Sequence, residues 1–442
     1  MPQAVATVVY GSLILALVLL DRDRKSRVSP ALWIPVAWVS ICASRMVSQW
    51  FAVTPAMESP DQYLEGSPLD RLVLTGLLAA GVVVLLARGR RAGAVLRANG
   101  PILLFLLYCA VSVLWSDYPD VAFKRWIKAL GDIVMVLVVL TDSNPSAAVK
   151  HLLARSGFLL IPLSVLLIKY YPDMGRSYSP WTWTPYLTGV ATGKNGLGFV
   201  CLIFGLASLS RVLETRRAEW GTRGVGPLIA HGTLVAMTLW LFWKADSATS
   251  LACFLIGGGL IGVMSLPRLA RKPSAVHLLT GAVLLLSVST LFLNVGTGIV
   301  EAMGRDATLT GRTALWDKAL DMTVDPFFGA GFESFWLGKR LAKFWKIYWW
   351  RPNQAHNGYL EIFLNLGLTG VVLLSLVMAW GYRNVGSVLR RDPGAGRLRL
   401  AYFVVAAVYN LTEAAFKATH LVWIAFLLAV TIVPEPSRQE DV

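Results

Sequence analysis

The chain has 442 residues, 55% of them hydrophobic and only 15% charged, and it carries 17 tryptophans. Soluble globular proteins average about 25% charged residues, so a string of soluble domains joined by polar linkers is excluded. The net charge of +15 does not indicate nucleic acid: the arginines sit in short loops between apolar runs, where basic residues set membrane orientation.

The apolar residues gather into runs of roughly 16–22, the length that crosses a hydrocarbon core about 30 Å thick. About 12–13 such runs are expected to span. In chain order they lie near 5–20, 29–50, 72–87, 101–115, 126–140, 152–171, 196–211, 227–243, 251–267, 276–293, 358–382, 400–411 and 419–433, the fifth and twelfth being the shortest. Backbone polar groups find no water in lipid, so these runs are expected to be helices and the fold all-α integral membrane. The first run lacks a basic start and a small-residue cleavage site, which makes it a span and not a cleaved signal.

Within the spans the features are structural. Cys42, Cys109, Cys201 and Cys253 all fall in apolar runs without a CxxC pair, as small buried hydrophobes do. Gly257, Gly258, Gly259 and Gly262 form a small-residue stripe suited to close helix packing. Asp132 and Glu413 are the clearest intramembrane charges, each readable as a satisfied group at a span end. The paired acids and broken half-helices of a proton-coupled transporter are missing.

Lysine and arginine concentrate in the loops at 21–27, 88–97, 216–223, 268–272 and 390–399, which are therefore expected on the cytoplasmic side. Three parts emerge: 1–293, spans with short loops; 294–357, one long periplasmic loop; and 358–442, the last spans with a short cytoplasmic tail. The long loop, about 60 residues, is the most polar and aromatic stretch, and exposed loops held by a rigid scaffold are where function concentrates. Residues 117–128 and 172–195 share its side.

The long loop holds GRDATLTGRTALW, residues 304–316. Thr308 or Thr310 is placed to cap a helix, with Arg312 in its first turn. Free amides, the positive helix end and a guanidinium would then face one point, a site for phosphate oxygens. The alternative is a local ion pair of Arg312 with Asp306 or Asp317. Further on, His356 and Asn357 stand where the loop enters the next span. Histidine exchanges its proton near neutral pH and suits a general base, and Glu361 follows Asn357 by one turn. A third stretch, 175–198, contributes Arg176 and, just before a span, Lys194 and Asn195. Its Trp181, Trp183 and Tyr186 are suited to stacking on sugar rings or to an interfacial belt, and Trp345, Tyr348, Trp349 and Trp350 pose the same choice. Lys124, Arg125 and Lys128 read most simply as an amphipathic helix on lipid headgroups. Three outward helix starts bearing cations or histidine describe a membrane-edge pocket for a lipid-linked diphosphate, and no carboxylate–histidine cluster offers a metal site.

The pairing of GRDATLTGRTALW with the later HNGYLEIFLNLGLTG resembles the O-antigen ligase/O-antigen polymerase superfamily. His356, Asn357, Gly367 and Gly370 fit that family's pattern of His, a small amide or hydroxyl residue, nine residues, then GxxG. GRSY…TGVATGKNGLG followed by GAGFESFW, residues 329–336, looks most like the exopolysaccharide-production branch. The resemblance implies a C-type membrane glycosyltransferase, inverting and metal-independent, with no cofactor, in the bacterial inner membrane. It implies a glycan donor linked to undecaprenyl diphosphate, an acceptor hydroxyl on a glycan or lipid A core, membrane lipid as surroundings and no nucleic acid. By position, His356 and Arg312 would be catalytic; Arg176, Lys194, Arg305 and Arg312 would hold the diphosphate; Asn195, Asn357 and Glu361 would support them. Lys194 stands where the family's ligases use arginine. The competing expectation is a non-catalytic lipid-linked oligosaccharide transporter or flippase.

Overall fold

The computed structural model describes residues 1–22, 27–52, 64, 66–178, 183–217, 225–245, 247–266, 272–292 and 312–434. Its helices, in chain order, are α1 (Gln3–Leu20), α2 (Trp33–Cys42), α3 (Val47–Trp50), α4 (Pro68–Ala87), α5 (Gly89–Ala98), α6 (Gly100–Val111), α7 (Pro119–Leu140), α8 (Pro145–Tyr170) and α9 (Pro172–Gly175). A two-stranded antiparallel ribbon follows, β1 (Arg176–Tyr178) and β2 (Pro185–Leu187), with Ser177 opposite Tyr186. Then come α10 (Lys194–Arg217), α11 (Gly226–Ala245), α12 (Ala248–Val263), α13 (Pro273–Phe292), α14 (Arg312–Asp321), α15 (Gly338–Ile347), α16 (Gly358–Arg391), α17 (Pro393–Tyr409) and α18 (Leu421–Val430). The helix starts are written locally: proline opens α4, α7, α8 and α17, and side chains of Ser67, Asn144, Asn357 and Asp392 cap free amides of α4, α8, α16 and α17.

Each expected apolar run coincides with a helix, but the helices are not equal. Six of them, α1, α4, α8, α10, α11 and α16, are long and apolar enough to cross a membrane. A seventh candidate is the pair formed by α5 with the helix from Gly100, bent by 86°. The remainder are short or charged. All ten residues of α18 are buried within the protein, so this helix, apolar on every side, lies inside the bundle. α10 is the central element, packed against α8, α11, α12 and α17, and Leu197, Val200, Cys201, Leu202 and Phe204 on it are inaccessible. Side chains added at Gly205 and Gly257 would press against Phe254 and Leu206 respectively, so Gly257 and Gly258 of the expected stripe permit close packing of α12 on α10, whereas Gly259 and Gly262 face open space. The four cysteines are buried and free.

The long segment continues from Arg312 as an outer cap with its own core: Leu315, Ala319, Phe335, Trp336, Leu341 and Phe344. This cap is stitched into α16 where that helix breaks at Gly367, whose φ is +64°. Leu368 and Thr369 donate their amides to the carbonyls of Pro326 and Phe327, and Ala330 donates to Leu364. A Cβ at Gly367 would overlap the Phe327 carbonyl, and one at Gly329 (φ +71°) would overlap the backbone of Asn365. Glycine is required at both positions by conformation and by space.

Ion pairs of the expected cytoplasmic loops gather at one end of the bundle: Arg211 with Asp21, Lys150 with Glu214, and Arg88 with Asp142. Arg211 lies near the C-terminal end of α10 and Asn195 at its start, so about 24 Å of helix separates them at 1.5 Å per residue.

Candidate active site

At the cap end, one carboxylate gathers four parts of the sequence. Glu413 lies in the turn between α17 and α18. Its Oε1 accepts from Asn195 Nδ2 at 3.0 Å and lies 3.7 Å from Arg312 Nη2. Its Oε2 pairs with His356 Nδ1 at 3.3 Å. Arg312 opens α14 and also donates from Nη1 to the Thr412 carbonyl at 2.6 Å. The guanidinium is thus anchored by backbone on one side and by a loose ion pair on the other. Its side chain is 28% exposed against 9% for Glu413.

The HNG sequence locks His356 beside Glu413. Asn357 caps α16, its Oδ1 accepting from Tyr359 N and Leu360 N at 3.0 Å, while its Nδ2 donates to the Leu411 carbonyl. Gly358 N donates to the Asn410 carbonyl at 2.8 Å, an approach that leaves no room for a Cβ. Asn410 Oδ1 in turn accepts from Ala415 N and Phe416 N, fixing the turn that carries Glu413. His356 itself has φ +52°. A non-glycine residue in that region is strained, and such strain persists where the surroundings hold it. His356 Nδ1 also lies 3.4 Å from Gln354 Nε2, whereas Nε2 has no hydrogen bond among the described residues. An imidazole held through Nδ1 by a carboxylate, with the other nitrogen unengaged, is set up to accept a proton.

Glu361 supports the site from beneath. It accepts from Trp336 Nε1 at 2.8 and 3.0 Å, from the Ala355 amide, and from Asn365 Nδ2. It therefore fixes the backbone immediately before His356. Beside it opens a cavity of about 300 Å³ lined by Arg125, Lys128, Glu333, Gln354, Glu361 and Lys417, among others. Asp132 closes the scaffold behind this cavity, accepting from Trp38 Nε1 and from Thr419 N at 2.8 Å each.

Arg312, His356, Asn195, Asn357 and Glu361 are thus brought together, and Lys194 adjoins Asn195. Arg176 is placed differently: its Nε and Nη2 donate to the Ile168 carbonyl near the end of α8, which holds the ribbon to that helix. Arg305, Asp306, Thr308, Thr310 and Trp181 lie outside the described residues. Of the two local partners expected for Arg312, Asp317 is not the one found; the guanidinium reaches Glu413 instead. Arg125 and Lys128 turn toward the cavity rather than to lipid headgroups, while Lys124 is exposed. Trp345 donates to the Pro352 carbonyl, and with Tyr348 and Trp350 it packs against the cap's core, whereas Trp183 and Trp349 are 80% and 61% exposed. Among the described residues no three His, Cys, Asp or Glu side chains gather around one point as metal ligands do.

Comparison with known proteins covers part of this cluster. The O-antigen ligase family pattern matches residues 232–375, which include Arg312 and His356. These matches support the O-antigen ligase superfamily, on its exopolysaccharide branch. The branch rests on the exopolysaccharide production protein ExoQ of Rhizobium meliloti (strain 1021), 25% identical over 294 residues. The aligned stretch is 64% of this chain and 64% of that relative, so just under two thirds of the relative's length is spanned. Asn195 and Glu413 lie outside the family match.

Glu413, at the centre of this cluster, is the residue that the motifs leave out. The signal for it is present: an acid inside VYNLTEAAF, between two short apolar runs, and an ionisable group at such a depth requires a partner.

Proposed function

We propose that the chain is a membrane glycan ligase or polymerase, transferring a glycan from undecaprenyl diphosphate onto a sugar hydroxyl at the periplasmic face of the bacterial inner membrane. The observation that carries this reading is the convergence of Arg312, His356 and Asn195 on Glu413, at the end of the bundle away from the basic loops.

In the reaction, His356 Nε2 takes the proton of the acceptor hydroxyl while the acceptor oxygen attacks the anomeric carbon of the donor. The bond from that carbon to the diphosphate oxygen breaks, and undecaprenyl diphosphate leaves with the electron pair. A single displacement of this kind inverts the anomeric centre. Glu413 keeps the imidazole oriented through Nδ1 and stabilises the imidazolium that forms, as the carboxylate of a hydrolase triad does. Negative charge grows on the departing diphosphate, and cations already in place stabilise it without reorganisation. Arg312 is the first of these. Lys194, at the start of α10, is the second, and the free amides of that helix end add to it. Arg176 acts at one remove, by holding the ribbon that leads into α10.

The test uses purified full-length protein in detergent, an undecaprenyl-diphosphate oligosaccharide and a glycan acceptor. Arg312→Ala is expected to abolish transfer while the protein stays in the membrane fraction at wild-type level. Transfer at near wild-type rate by this variant overturns the diphosphate role. Tight donor binding without turnover on any acceptor would favour a transporter.

A further inference from the structure

The cavity beside Glu361 carries charges that the reaction just described does not use. Arg125 and Lys128 reach it from α7 and Lys417 from the turn before α18, while Glu333 and Glu361 form part of the same lining. Two of the cations are engaged. Arg125 Nη1 donates to the Glu333 carbonyl, and Lys417 Nζ donates to Gln354 Oε1 at 3.0 Å. Lys128 is half-buried and forms no hydrogen bond or close ion pair among the described residues, although Glu333 attracts it and Arg125 repels it at longer range. A cation kept from full solvation and left without a hydrogen-bonding partner at a cavity wall is a place for an anion from outside.

The wall is also built rigidly. Glu333 and Thr419 both adopt left-handed backbone, with φ of +46° and +58°. They are held by Ala418 N donating to Glu333 Oε1 at 2.9 Å and by Thr419 N donating to Asp132 Oδ2. Strained backbone fixed from both sides around a cavity is pre-organisation. The volume of about 300 Å³ sits at the small end of ligand pockets, which run roughly 300–1,000 Å³. That is space for one or two sugar rings.

Charge density separates the two anions that this chemistry admits. Three cations face two carboxyl groups, a small positive excess spread over several side chains. A diphosphate concentrates its charge and would meet Glu333 and Glu361 across a narrow space, whereas a single carboxylate matches the excess. Position agrees: Gln354, in the cavity wall, joins Lys417 to His356 Nδ1, so one side chain separates the cavity from the imidazole, while Arg312 approaches Glu413 through its other oxygen. We infer that this cavity is the acceptor subsite, and that it takes a sugar bearing a carboxylate, with Lys128 as its principal anchor. The acceptor role rests on the transfer reading above; the preference for an acidic sugar rests on the cavity alone.

The experiment measures binding calorimetrically, in detergent at low salt, with two probes: a glucuronate-containing disaccharide and its neutral glucose counterpart. The wild type is expected to prefer the acidic probe by roughly tenfold, the scale of one charge-assisted hydrogen bond. Lys128→Gln should erase that preference, Lys128→Arg should keep it, and both should bind undecaprenyl diphosphate as the wild type does. No preference in the wild type overturns the proposal. So does a Lys128→Gln variant that keeps the preference but loses undecaprenyl diphosphate, since the cavity would then belong to the donor. If Arg312→Ala leaves undecaprenyl-diphosphate binding untouched while the acidic preference depends on Lys128, the transfer reading fails and the selectivity of the cavity stands.

Discussion

The two ends of α10 each hold a histidine, a carboxylate and an arginine, and only one of these clusters is set up for chemistry. At the basic end, His231 uses both ring nitrogens, Nε2 toward Asp21 and Nδ1 toward Ser208, each at 3.2 Å. Its ring packs on Phe158, its side chain is 2% exposed, and Arg211 lies 3.7 Å from Asp21. The cavity that His231 lines measures about 50 Å³, and its partner Asp21 also borders one of about 500 Å³ that His231 does not line. At the cap end His356 is 26% exposed, leaves Nε2 unengaged among the described residues and sits on left-handed backbone, and Gln354 beside its Nδ1 lines a cavity of about 300 Å³. The residue types are the same. What distinguishes the two histidines is the nitrogen left over, the greater exposure and the strain accepted to place the ring there.

The comparison breaks most directly at the histidines. His356→Ala should lower transfer by roughly 10²–10⁴-fold, the usual worth of a positioned general base, with the amount of folded protein unchanged. His231→Ala should do the reverse: turnover per folded molecule near wild type, and a lower unfolding temperature in detergent, because Asp21 loses a buried partner. Equal loss of turnover from the two would erase the distinction. Next in size, Arg312→Ala should cost roughly 10²–10³-fold in turnover, the scale of one donor to developing charge. Glu413→Gln keeps the shape and the acceptor oxygen for Asn195 but removes the charge, so a loss of about 10–100-fold follows from one charge-assisted hydrogen bond. Arg176→Gln is expected to change turnover least and to appear first as a lower thermal midpoint, because its partner is the Ile168 carbonyl. A donor-binding defect as large as that of Arg312→Ala would return Arg176 to the diphosphate site.

Much of this end of the molecule is legible in the sequence, for physical reasons that can be named. Apolar runs must become helices in lipid, so the positions of the helices follow. An arginine or histidine in a polar loop next to such a run is conspicuous, which is why Arg312 and His356 stand out. Glu413 stands out only as an intramembrane charge, not as part of the site, because it is 101 residues from Arg312 and 57 from His356; the turn pinned by Asn410 brings it to them. Arg125 and Lys128 mislead for a related reason. Helical spacing places them on one face, but whether that face meets lipid or another part of the protein depends on where the cap lands. Helix count is blurred likewise, since a run as apolar as 421–430 is equally suited to a core and to a bilayer.

The break in α16 has a mechanical consequence. Three backbone hydrogen bonds sew residues 326–330 into the gap between Leu364 and Thr369, so the outer cap rides on the span and has no hinge of its own there. Lifting the cap would mean reopening that gap and orphaning backbone groups at its edge, a far larger cost than swinging a loop. On the transfer reading proposed above, a lipid-linked donor would enter and leave sideways, between helices, beneath a cap fixed at this seam.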